Sequence, residues 1–377
     1  MHEALEVAAR QNLDLAAGRL RQNVAQAGVR IAGQIPNPTA IFSASRDVPH
    51  ESLLLDQPFE LGWKRSRRIG LARQQVALTN VEIDTLVRQV RRRVREAYYA
   101  AVLARRQTGQ RAQALELTKR LRDIAKERFD AGDVPQLEVI QTELEVSRAE
   151  AEYEVARQRE RVSYSQLSVL LNEPSETIWE PETPLEEMPS RVSLEELVGR
   201  AQSLNPDLQH LSQEQKVELS RKALLRAERI PNLDVQFGSD FNAPPDFRAG
   251  LRGGFMMGLP LFTRNQGELA QSSATLRLLD AETVATRRAV AGRVEAAYFE
   301  WGTRQTQVEL YRNTLLPSAR RLQALAEESY RAGRANILTV LDAQRNVLQV
   351  ERDYLDSLSA SQAAFAGLEE TVGGPLD

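Results

Sequence analysis

The chain contains no cysteine. Disulfides, iron–sulfur clusters and thiolate metal sites are therefore excluded, as is a lipid-modified N-terminal cysteine on the chain as given. It has no apolar run of about 18 residues, so no membrane-spanning helix is expected. Its 20 glycines and 6% aromatic residues are too few for an all-β protein with many turns. Histidine occurs only as His2, His50 and His210. His50 sits between acids in Asp47-Val48-Pro49-His50-Glu51, but without a second histidine or cysteine nearby it reads as part of a solvated loop. No G-x-G-x-x-G, phosphate loop, H-E-x-x-H or G-x-S-x-G occurs, so neither an enzyme nor a cofactor is expected. Neither sign of charge dominates: 49 basic and 52 acidic residues give a net charge of −3. That balance does not point to nucleic acid. The run Arg91-Arg92-Arg93-Val94-Arg95 reads as a solvated helix face rather than a phosphate-binding patch.

What is present is length, charge and repetition. The 377 residues suffice for two ordinary domains or one elongated one. Charged residues at 27% and a mean hydropathy of −0.42 are too polar for a bundle of transmembrane helices. An internal repeat recurs after roughly 190–200 residues. Gln11-Asn12-Leu13-Asp14-Leu15 returns as Leu204-Asn205-Pro206-Asp207-Leu208, and Ile35-Pro36-Asn37 as Ile230-Pro231-Asn232. Ala97-Tyr98-Tyr99 returns as Ala297-Tyr298-Phe299, and Phe129-Asp130-Ala131-Gly132 as Tyr330-Arg331-Ala332-Gly333. Order is kept, so the chain divides into repeats at 1–172 and 193–377, joined by a Pro- and Glu-rich linker at 173–192.

Each repeat has the same grammar. A helical stretch (1–34, 193–228) precedes a pair of strand-like segments (39–61, 233–261). A very long helical pattern then runs to a glycine, and a second long helix leads away. Between Lys64 and Asp130 there is no proline, and Ala, Leu, Arg, Gln and Glu dominate. At 1.5 Å per residue this helix would be roughly 100 Å long, beyond what a globular domain uses. Leu341, Leu348 and Leu355 lie seven apart, and Leu137, Ile140, Leu144, Ser147 and Ala151 step by three or four. Such steps bring side chains to one seam for knobs-into-holes packing. Gly132 and Gly333 stand where each long helix must stop and reverse. Two helical hairpins result, with tips at 131–136 and 332–337.

The strand segments are what a coiled-coil rod would not need. In Leu233-Asp234-Val235-Gln236-Phe237-Gly238, Leu, Val and Phe face one way. Leu251, Phe255, Met257, Leu259 and Leu261 share a face, as do Leu53, Leu55, Phe59 and Leu61 opposite Asp56 and Glu60. Ala40, Phe42 and Ala44 line one side of a less regular segment. Alternating segments of about 10 residues match transmembrane β-strands, with the apolar face toward lipid and the polar face toward a wet lumen. Four strands cannot close a barrel, and an open edge in lipid leaves backbone groups unpaired. Several chains must therefore contribute. Three would give about twelve strands, although closure alone does not fix three over two.

In these features the sequence resembles the TolC-like outer-membrane efflux family over essentially its whole length. Gln57-Pro58-Phe59-Glu60-Leu61-Gly62-Trp63-Lys64-Arg65 is similar to the segment after the first strand pair in the cobalt–zinc–cadmium exit-duct subgroup, where Trp63 is usually glycine. Leu259-Pro260-Leu261-Phe262-Thr263-Arg264-Asn265-Gln266-Gly267 resembles its counterpart in the second half. The resemblance implies a mainly α protein with a small β part. Long hairpins would form a periplasmic α-barrel, and four strands per chain would join a trimeric twelve-stranded outer-membrane β-barrel. It implies an exit duct that passively conducts substrates, heavy-metal cations in that subgroup. Its partners would be outer-membrane lipid, a periplasmic adaptor and an inner-membrane pump of the resistance-nodulation-division type. No secretory signal is visible in Met1-His2-Glu3-Ala4-Leu5, so this placement expects a signal segment not present in the given chain.

The resemblance also implies site residues. Ala131, Gly132, Asp133 and Val134, with Ala332, Gly333, Arg334 and Ala335, would form adaptor-docking tips. Tyr330 matches a tyrosine that helps hold the closed tip, and Glu138 an acid at the constriction. The arginine expected opposite that acid falls on Ala335, with Arg334 adjacent. Asp342 matches a lumen aspartate, three of which would form a cation-attracting ring, whereas its companion acid falls on Thr339. As a helix-start residue, Asp342 reads equally as a solvated carboxylate favoured by the helix dipole. The alternatives are a periplasmic adaptor, which would need β-rich segments flanking a single hairpin, and a soluble coiled-coil scaffold, which leaves the apolar strand faces unexplained.

Overall fold

The computed structural model describes residues 1–174, 183–187, 192–244 and 246–376. The first half runs α1 (His2–Gln11), α2 (Leu13–Ala32), β1 (Thr39–Ala44), β2 (Glu51–Phe59), α3 (Lys64–Asp130) and α4 (Gln136–Leu171). The second runs α5 (Leu194–Leu204), α6 (Pro206–Ala227), β3 (Leu233–Ala243), β4 (Phe247–Met257), α7 (Gln266–Leu310), α8 (Leu316–Arg331) and α9 (Ile337–Val372). The same order of elements is thus met twice.

Four departures from the sequence reading have local causes. The opening stretch of each half is two helices rather than one, broken at Asn12 and at Asn205. Both asparagines are buried and both tie the break to a distant helix end. Asn12 donates to the Leu170 carbonyl (2.8 Å) and accepts from the Leu15 amide (3.1 Å), while Asn205 donates to the Thr371 carbonyl (2.7 Å). β4 ends at Met257, short of 261, because Pro260 cannot donate to a ladder. The long helix of the second half is interrupted by a π-helical segment, Tyr311–Leu315. Most of the 173–192 linker lies outside the described residues. In its described part, however, Leu185 is buried in the core, and the Gln362 amide donates to the carbonyls of Leu185 (3.1 Å) and Glu187 (2.7 Å).

The chain divides into two compact units, each drawing on both halves: residues 1–16, 85–205 and 289–377, and residues 17–84 and 206–288. In the first, Ala4, Ala8, Val90, Val94, Tyr98, Val102, Leu167, Leu171 and Leu358 form the core. Leu341 and Leu355 of the heptad row on α9 are buried, whereas Leu137, Ile140 and Leu144 on α4 stay exposed within one chain. An ion pair, Arg95–Glu369, is set into this core with Arg95 only 8% exposed. Removing one member would leave the other charge less compensated and destabilise the fold.

In the second unit α2, α3, α6 and α7 are linked side by side through polar pairs. Gln22 donates to Asn80 (3.0 Å), Gln213 to the Gln74 side chain (2.9 Å) and Gln215 to Asp280 (3.0 Å). The four strands form one antiparallel sheet in the order β1-β2-β3-β4. At its foot Arg68 pairs with Glu60, and buried Lys64 donates to Asn232 (2.5 Å).

Candidate functional site: hairpin tips and sheet faces

Each tip is built by the same hydrogen bonds. Gly132 takes φ +83° and Gly333 φ +69°, the left-handed conformation that closes a helix. The Gly132 amide donates to the Phe129 carbonyl (2.9 Å) and the Asp133 amide to that of Arg128 (2.9 Å). In the second hairpin Gly333 donates to Tyr330 (3.0 Å) and Arg334 to Ser329 (2.8 Å). An added side chain at either glycine would meet no atom, so backbone conformation alone selects glycine here. The outgoing helices start differently: Asn336 caps α9 by accepting from the Thr339 amide (3.0 Å), while α4 follows Pro135.

Ala131, Gly132, Asp133, Ala332, Gly333 and Arg334 are exposed, and Val134 and Ala335 half-buried. The tips match in bonding but not in charge. Asp130 and Asp133 occupy in the first turn the positions that Arg331 and Arg334 occupy in the second.

Behind the tips the structure brings Tyr330 and Glu138 together. Tyr330 is 1% exposed, packed with Leu121, Ala326, Ile337, Val340 and Leu341. Its hydroxyl donates to Glu138 Oε2 (3.3 Å), joining α8 to α4. Arg128 completes the group: its guanidinium lies 4.8 Å from the Tyr330 ring centroid and donates to the Tyr330 carbonyl (3.5 Å). Burial pushes the Tyr330 phenol up and the Glu138 carboxylate pushes it further, while Arg128 pulls it down. Sequence reasoning missed Arg128, whose counterpart in the second half is Ser329. It also missed Gln344, which fastens α9 to α3 by donating to Thr118 (2.9 Å) and to the Ala114 carbonyl (3.3 Å).

Arg334 and Asp342 are not drawn into this group. Arg334 has no ion pair among the described residues. Asp342 is 71% exposed, 3.6 Å from Arg345 one turn along α9.

The sheet separates two chemistries. Register places Phe42 opposite Leu53, Leu55 opposite Phe237 and Val235 opposite Phe255. All six point to one face, and the residues at its far edge are almost bare: Leu251 is 84% and Phe255 78% exposed. The other face carries Asp56 opposite Gln236, Ser52 opposite Asp240, and Arg252, 3.8 Å from Asp240. Among the described residues β1 and β4 each pair on one side only, so both edges present unpaired backbone.

A duplicated unit of helical hairpin and strand pair, with a sheet that is apolar on one exposed face and open at both edges, describes a protomer that is completed by other copies. The chain belongs to the outer membrane efflux protein family, whose profile matches residues 4–173 and 197–374. It is 25% identical to the cobalt-zinc-cadmium resistance protein CzcC of Cupriavidus metallidurans, over 99% of this chain and 90% of that protein. Its fold is that of CusC (TM-score 0.79, 15% identity, 99% of this chain and 92% of the other). It is also that of the outer membrane protein VceC of Vibrio cholerae (TM-score 0.78, 16% identity, 100% and 96%). The chain is therefore an efflux channel of the outer membrane with a large periplasmic portion, not an enzyme. No helix among the described residues is long and apolar enough to cross a membrane.

Proposed function

We propose that the chain is the exit duct of a tripartite heavy-metal efflux system. Three copies form a homotrimer that passively passes cations from an inner-membrane pump of the resistance-nodulation-division type and a periplasmic adaptor to the exterior. The observation that carries the duct is the four-stranded sheet, open at β1 and β4 and bare on its apolar face. An open edge in lipid leaves backbone groups unsatisfied, and three such sheets joined β4 to β1 make a closed barrel of feasible size. The exposed row Leu137, Ile140 and Leu144 on α4 supports a neighbouring helix from another copy. Similarity to a cobalt-zinc-cadmium resistance protein along the whole chain supports divalent cations as cargo.

The duplicated halves, 1–172 and 193–377, each give one hairpin, and the residues at 131–134 and 332–335 receive the adaptor. Tyr330 with Glu138 holds the closed end, with Arg334 at the constriction. Asp342, well exposed, supplies the ring of carboxylates that draws cations in. The test is reconstitution into planar bilayers with the detergent-solubilised mass measured on the same preparation. Discrete conductance steps from a trimer, and zinc tolerance restored to a strain lacking its own duct, are expected. A monomer without conductance overturns the duct. Conductance without rescue of metal tolerance overturns the cargo alone.

A further inference from the structure

At the foot of the sheet the apolar face does not stop with the strand. Leu61 continues the alternation of Phe59 beyond β2, Gly62 and Trp63 then form a turn, and Leu61 and Trp63 both line a groove of about 850 Å³ between the start of α3 and α6. Ile69 lines the same groove, and Ser220 and Ala223 form its α6 wall. Trp63 is 81% exposed. An indole held open at this level matches the amphipathic position that tryptophan takes at a membrane–water boundary.

The remaining lining is cationic. Arg65, Arg67 and Arg73 border the groove, and Arg73 also borders an adjoining one of about 350 Å³ shared with Arg30 of α2. Arg65 uses its Nε on the Gly33 carbonyl (2.7 Å). None of these four guanidinium groups has a carboxylate partner among the described residues. The single acid on the wall, Glu60, is held by Arg68. The first turn of α3 contains no acid. All four arginines are exposed, and the planar fork of a guanidinium is suited to gripping a phosphate.

We propose that this groove is a binding site for one anionic phospholipid per chain. Its phosphate is gripped by Arg67 and Arg73, and its acyl chains run along the apolar face past Leu61 and Trp63. A free phosphate would satisfy the arginines but would leave the bare indole and leucines in water. The lipid satisfies both halves of the lining, and its place follows from the face that the sheet already turns to lipid. The inference rests on the membrane placement of that face.

The test is native mass spectrometry of the intact oligomer, titrated with phosphatidylglycerol or with phosphatidylcholine of the same acyl chains. One phosphatidylglycerol retained per chain is expected, favoured about tenfold or more over phosphatidylcholine. The double substitution R67Q/R73Q should reduce phosphatidylglycerol to the phosphatidylcholine level at unchanged oligomeric mass and helicity. Equal retention of both lipids by the unaltered protein overturns the site, as does full retention by the double variant. Displacement by millimolar inorganic phosphate overturns the lipid in favour of a free-anion site. If the protein instead stays in solution without detergent, the membrane placement fails first and takes this inference with it, a result read before any lipid is added.

Discussion

Trp63 adopts φ +63°, a left-handed conformation that side chains other than glycine, asparagine and aspartate seldom take. Glycine takes this conformation without steric cost. Substituting Trp63→Gly should relieve about 1 kcal/mol of backbone strain, seen as a higher unfolding temperature in detergent. An unchanged or lower transition would mean that the indole makes up for the strain. Asp356 carries a different kind of frustration. Burial pushes its carboxyl up, and Asp353 pushes the same way against the pull of Arg352. A carboxyl raised in the folded state favours folding while it is protonated, below its ordinary value near 3.9, and loses that contribution as pH rises through the folded value. Asp356→Asn keeps an acceptor for the Gln107 amide, now at 3.1 Å. It should therefore raise the melting temperature at pH 7 and leave it unchanged near pH 3. Equal shifts at both values would contradict this.

Elements begin and end where backbone chemistry compels them. Gly132→Val and Gly333→Val should each destabilise a hairpin reversal by about 1–2 kcal/mol and weaken crosslinking to the adaptor. Intact crosslinking would remove the tips from the docking surface. The π segment has an equally local origin. Pro317 has no amide proton, and its ring collides with the carbonyl one turn earlier. The helix widens just upstream, where the Leu316 amide reaches back to Tyr311. Pro317→Ala should let that turn close to α geometry, stabilising it by about 1 kcal/mol or more. Amide exchange across 311–316 reads this out, and unaltered exchange would assign the wide turn to packing instead.

The long helices, both glycine reversals and the alternating strands were legible in the sequence because each is written in neighbouring residues. The breaks at Asn12 and Asn205, the Arg128 stack and the burial of Leu185 were not. Asn12 meets its partner 158 residues away, Asn205 166 and Arg128 202. Periodicity carries no information over such separations, and an asparagine within a helical pattern looks only like a mild propensity defect.

For the whole molecule the consequential contacts are the Tyr330–Glu138 bond behind the tips and the open sheet edges. If Tyr330 holds the gate through Glu138, Tyr330→Phe removes one hydrogen bond worth about 1 kcal/mol. Open probability in single-channel recordings should then rise about fivefold. An unaltered opening rate would leave Tyr330 a packing residue. The unequal edges matter as well: β1 has 6 residues and β4 has 11. Neighbours joined edge to edge can bond fully over only the shorter length.

The tips share a backbone but carry opposite signs, Asp130 and Asp133 in one and Arg331 and Arg334 in the other. In the proposed trimer, six hairpins made from one short gene would all change together whenever a residue changed. A gene that writes the hairpin twice would alter every second station of the proposed ring and spare the rest. If the tips receive the adaptor as proposed, such a duct could drift toward a new neighbour on three seats while the other three keep the old one.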